Sequence, residues 1–130
     1  MAHSFQVLLA VALGGALGAS GRHLVSRAMV HLLGTSFPWG TLLVNVLGSV
    51  LMGMLIELAA LRLNLSNEMR AFVFVGILGG FTTFSTFALD AVTLYERGAL
   101  LPAFLYVLGS VTLAVAGLFA GLALMRWILT

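Results

Sequence analysis

The chain has 130 residues, 62% of them hydrophobic and 8% charged, with a mean hydropathy of +1.17 and a formal net charge of +2. Soluble domains carry about 25% charged residues, so a water-soluble class is excluded and a single integral membrane domain, 1–130, is expected. The positive balance comes from scattered arginines with no basic patch or tail, so lipid is an expected partner and nucleic acid is not.

A spanning helix needs about 20 apolar residues, and polar punctuation divides the chain into four such runs. The first predicted span covers 5–29. It is preceded by no basic residue and is too long for a signal-peptide core, so it is read as a retained helix. Gly14 and Gly18 make a small-residue face on it, suited to close helix packing. Arg22 lies deep in this run. It either snorkels to the interface or supplies positive potential at a vestibule.

The second predicted span, 39–61, is entered through Phe37-Pro38-Trp39-Gly40. Proline fits a helix start, and tryptophan suits the water–lipid boundary. Its one amide, Asn45, must find a partner in lipid: another helix or a pore. Asn64-Leu65-Ser66-Asn67-Glu68 then offers capping residues for the third span, 69–95. The fourth span, 100–127, carries Tyr106 and Ser110 four residues apart, on one helical face. Alone, Ser110 would be expected to bond back to its own helix; with Tyr106 it suggests a polar track.

The third span holds the unusual segment GGFTTFSTF, Gly79 to Phe87. Each glycine weakens a helix by about 1 kcal/mol relative to alanine. Thr82, Thr83, Ser85 and Thr86 can satisfy backbone groups that a break would free. Irregular backbone at membrane depth is tolerated only where protein or water covers it, so a break is expected at the centre of an assembly. Freed carbonyls there can coordinate a cation. Phe84 and Phe87 are three apart and share a helical face. They either pack, or aim their electropositive ring edges at a small anion without the trapping strength of a full charge. Asp90 follows, placed to pair with an arginine or cap the water-facing end.

Four spans put both termini on one side. Arg62, Arg70 and Arg126 then lie at that end, and Arg22, Arg27 and Arg97 at the other. Cytoplasmic loops normally hold the excess of Lys and Arg. This balance is either noise in a small protein or the mark of a chain that inserts both ways and pairs antiparallel with itself. No nucleophile motif, phosphate loop or metal-ligand grouping is present, so an enzyme is not expected.

GGFTTFSTF, preceded by VGIL, resembles the third-span signature of the Fluc (CrcB-like) fluoride channels. PWGTLLVNVLGS, 38–49, is similar to that family's second-span motif, and Arg22 and the Tyr106–Ser110 stripe agree with it. The resemblance covers essentially the whole chain. It implies an all-α membrane protein with four transmembrane helices per subunit and the third helix broken mid-membrane. It also implies a dual-topology antiparallel homodimer in the bacterial plasma (inner) membrane, exporting fluoride passively against toxicity. By the same resemblance, Phe84, Phe87, Asn45, Tyr106 and Ser110 would line the pore and Arg22 a vestibule. The backbone carbonyls of Gly79 and Thr82 would bind a structural Na+ ion at the dimer interface. Two positions depart from the family pattern: Ala114 where many relatives carry threonine, and Asp90 where they often carry glutamate. The rival reading is a small dual-topology, proton-coupled multidrug exporter. That would need a carboxylate in the first span, which has none.

Overall fold

In hydrocarbon, a backbone that cannot reach water must satisfy itself, and helices do so within one segment. The computed structural model, which describes residues 1–130, is all helical. Helix α1 is Ala2–Leu33 and α2 is Trp39–Leu61. The third span is split into α3, 67–81, and α4, Phe84–Glu96. Helix α5 is Leu100–Leu129. Four segments, counting 67–96 as one, are long and apolar enough to cross a membrane, so the chain is a multi-pass membrane protein. The helices begin and end up to four residues outside the predicted spans, except α2, whose bounds coincide with 39–61.

The boundaries have local causes. Gly34 ends α1 at φ 79°, returning its N–H to the Val30 carbonyl at 2.9 Å; only glycine takes that conformation without cost. Pro38 precedes the first residue of α2. Ser66 caps α3, its Oγ accepting from the Met69 N–H at 3.2 Å. Within α3, Ala71–Leu78 is wound as a π-helix, and the Gly79 N–H accordingly reaches the Phe74 carbonyl five residues back.

No hydrophobic force drives helices together in lipid, so close contact depends on small residues. Two parallel pairs use this. Helix α1 packs along α3, with Gly14 and Gly18 against the backbone of Phe72, Gly76 and Ile77. Gly76 and Gly80 present a matching pair from α3: a Cβ on Gly80 would lie 2.8 Å from the Gly15 carbonyl oxygen. Helix α2 packs along α5 in the same manner, with Gly53 on Leu118 and Leu122, and Gly121 on Val50 and Met54. Any side chain at these six contact glycines would push backbones apart.

At the end bearing both termini the helices are also tied by charge. Arg126 Nε donates to Glu57 Oε1 at 2.7 Å, His3 Nδ1 meets Glu68 Oε1 at 2.8 Å, and the Arg62 guanidinium donates to the Leu129 carbonyl. The opposite end has no ion pair. Beyond the break, α4 leaves α1, touches α2 slightly and leans on α5. Leu94 is its one buried residue.

Candidate functional site

The break falls at Thr82–Thr83, halfway along the third span. The adjacent glycines do not unwind: Gly79 and Gly80 remain helical, and Gly80 serves the contact with α1. The two threonines are extended, at φ −82°, ψ 157° and φ −153°, ψ 126°. Each finishes one half of the span. Thr82 closes α3 by donating both its N–H, at 3.0 Å, and its Oγ1–H, at 2.9 Å, to the Leu78 carbonyl. Thr83 caps α4, its Oγ1 accepting from the Thr86 N–H at 3.3 Å while donating to Thr86 Oγ1 at 3.1 Å.

Asn45 holds the break open. Its Oδ1 accepts from the Thr83 N–H at 2.7 Å and its Nδ2 donates to the Thr83 carbonyl at 2.9 Å. The interhelical reading of this residue is met. The amide is an interhelical tie, and its second N–H is left over beside a cavity that Asn45 also lines. Gly48, one turn along α2, makes room for Thr82, whose methyl group occupies the space a Cβ would take.

These diversions free two carbonyls. The Thr83 N–H, the helical donor to the Gly79 carbonyl, goes to Asn45; the Thr86 N–H, the helical donor to the Thr82 carbonyl, goes to Thr83 Oγ1. Gly79 and Thr82 therefore keep free carbonyl oxygens at membrane depth, hard oxygen donors whose number in one chain falls short of a cation's usual shell. At the same point α3 ends, with partial negative charge, and α4 begins, with partial positive charge.

A cavity of about 340 Å³ opens beside the break, bringing together Asn45, Thr83, Phe84, Phe87 and Ser110. The Phe84 and Phe87 ring centroids are 5.6 Å apart, and Phe84 is 79% exposed, aimed out of the single chain. The Phe87 ring lies 5.3 Å from that of Tyr106, which meets Phe37 edge-on at 5.5 Å. An aromatic row thus leads from the break towards the loop that joins α1 to α2. Tyr106 is 1% exposed, and its hydroxyl donates to Asp90 Oδ2 at 3.1 Å. Asp90 thus takes a tyrosine rather than the arginine or water-facing cap expected of it. Ser110 reverses its default expectation: its Oγ is buried with no hydrogen-bond partner, rather than bonded back to its helix. It faces the cavity that also bears on Asn45. Arg22 is half-buried on α1, forms no ion pair and lines neither this cavity nor the one near the α1–α2 loop.

A family model described as CrcB-like protein, Camphor Resistance (CrcB), matches residues 9–122. The chain belongs to the CrcB-like family. Among similar proteins, one of Agrobacterium fabrum (strain C58 / ATCC 33970) is 57% identical over 116 residues, covering 89% of this chain and 93% of its own. One of Rhodopseudomonas palustris (strain BisB5) is 55% identical over 118 residues, with 91% and 95% covered. One of Chelativorans sp. (strain BNC1) is 54% identical over 122 residues, with 94% and 98% covered. All three are named fluoride-specific ion channel FluC.

Thr83 is the point that Asn45 grips, and Gly48 is the space that Thr82 fills. One feature of this CrcB-like chain was not singled out from the sequence. Gly76 with Gly80 is a four-residue glycine spacing that does carry a sequence signal, matching Gly14 with Gly18 on the partner helix.

Proposed function

We infer that the chain is a fluoride-specific ion channel that lets fluoride leave the cell down its electrochemical gradient. It acts by transport rather than by catalysis. The observation that carries this reading beside the relatives is the convergence of weak donors on one cavity at the break. These are the unpartnered Ser110 hydroxyl, the remaining Asn45 N–H and the rings of Phe84 and Phe87. Ring edges and neutral donors can replace part of a small anion's hydration without holding it too tightly to leave. Tyr106 spends its hydroxyl on Asp90, so its contribution is to brace the Phe87 ring. Arg22, with no carboxylate partner, supplies positive potential for an incoming anion at a vestibule.

The working unit is an antiparallel homodimer of chains inserted both ways in the bacterial inner membrane. The exposed face of α4, with Phe84, Leu89 and Val92, supports a second copy at the break. So do the free carbonyls, because two would be too few for a cation and four from two copies approach its usual coordination. Gly79 and Thr82 would hold that Na+ as a structural charge between the copies.

Liposomes loaded with fluoride and containing the purified protein should empty of fluoride and retain chloride. Equal loss of both, or of neither, would overturn the reading. Dual insertion has its own test. The chain has no cysteine, so single cysteines at Thr35 and at Leu63 give clean labelling. Each should react with an impermeant maleimide from both faces of the cell membrane. Reaction from one face alone would reject antiparallel assembly while leaving fluoride transport standing.

A further inference from the structure

In the first half of α1, the side turned away from α3 carries a leucine row: Leu9, Leu13 and Leu17 follow one another at four-residue spacing and are all exposed. In the last three turns that face changes character. His23, Arg27 and His31, again at four-residue spacing, are all exposed. At 100° per residue they are centred about 160° around the helix from the Gly14–Gly18 seam, so they point out of the bundle. None forms an ion pair. Three of the four carboxylates are engaged elsewhere, Glu57 with Arg126, Glu68 with His3 and Asp90 with Tyr106. Exposed Leu24 and Val30 flank the stripe with apolar surface.

Depth decides what such a stripe meets. With its 32 residues, α1 is roughly 48 Å long, against a hydrocarbon core of about 30 Å. His31 and Arg27 therefore stand at headgroup level, with His23 one turn deeper and reaching up. We propose that His23, Arg27 and His31 bind the phosphate of an anionic phospholipid headgroup, its acyl chains lying along Leu24 and the leucine row. Arg27 supplies the permanent charge and the planar fork that suits phosphate, and the imidazoles donate from either side. A zwitterionic headgroup brings its own cation to the same place and is disfavoured. The proposal holds for the single chain and does not depend on what the protein transports.

Native mass spectrometry of the purified protein, titrated with equimolar phosphatidylglycerol and phosphatidylcholine, tests it. Wild type should retain phosphatidylglycerol at least about fivefold over phosphatidylcholine, since charge-assisted contacts near a membrane surface contribute about 1 kcal/mol per basic residue. The preference should fall to near parity in R27Q and in H23Q/R27Q/H31Q, and survive in R27K. R70Q, a charge removed from the opposite end, should leave it intact. No preference in wild type, an undiminished preference in the triple variant, or an equal loss in R70Q would each overturn the assignment.

Discussion

Asn45→Ala is expected to cost the protein both its fixed break and its flux. The amide of Asn45 satisfies the N–H and the carbonyl of Thr83 at once, at 2.7 and 2.9 Å. Truncation leaves both orphaned at membrane depth, at roughly 1–3 kcal/mol for each unsatisfied group. The cheapest relief is for Thr83 N–H to return to the Gly79 carbonyl and close the helix, which would remove a free oxygen and swing Phe84 out of place. Thermal unfolding in detergent should fall by several degrees, and fluoride efflux should be lost. Asn45→Asp separates the two effects. It keeps the acceptor for the Thr83 N–H, so it should unfold later than the alanine variant. It places a carboxylate beside the cavity, so it should still conduct poorly. An alanine variant with wild-type stability and wild-type flux would remove Asn45 from this role.

Phe84→Ile and Phe87→Ile should cut fluoride efflux while leaving the helices and their association intact. Isoleucine keeps most of the apolar volume and lacks the electropositive edge. If an edge lowers the barrier to a passing anion by about 1.5–3 kcal/mol, its loss slows passage roughly tenfold to hundredfold. The two positions differ in a checkable way. Phe87 is braced by Tyr106, at 5.3 Å between centroids, whereas Phe84 is 79% exposed in the single chain. Tyr106→Phe keeps the ring and releases Asp90, so it should disturb flux less than Phe87→Ile does. Unchanged efflux in both isoleucine variants, with size-exclusion profiles like wild type, would end the ring-edge mechanism.

The four helices were legible because hydropathy and capping are local. Gly34, Pro38 and Ser66 mark their boundaries with residues whose conformations serve no other purpose there. The presence of a break was legible too, from glycine and hydroxyl content in one nonapeptide. Its position was not. Propensity alone points to Gly79–Gly80, but Gly80 is held in the helix by its fit against Gly15, and the chain opens where Asn45 reaches Thr83, 38 residues away. The π-wound turns of Ala71–Leu78 are likewise absent from any local pattern. Ser110 shows the same limit: whether a serine bonds its own backbone depends on what faces it, and here that is a cavity built by three other segments.

The uneven fastening of the two ends has a dynamic consequence. Glu57–Arg126, His3–Glu68 and Arg62 with the Leu129 carbonyl all rivet the rim that carries the termini, while the other rim turns at Gly34 and Gly98 and has no ion pair. In a head-to-tail pair, each leaflet would then see one clamped mouth beside one supple mouth, and breathing motions would alternate diagonally across the bilayer.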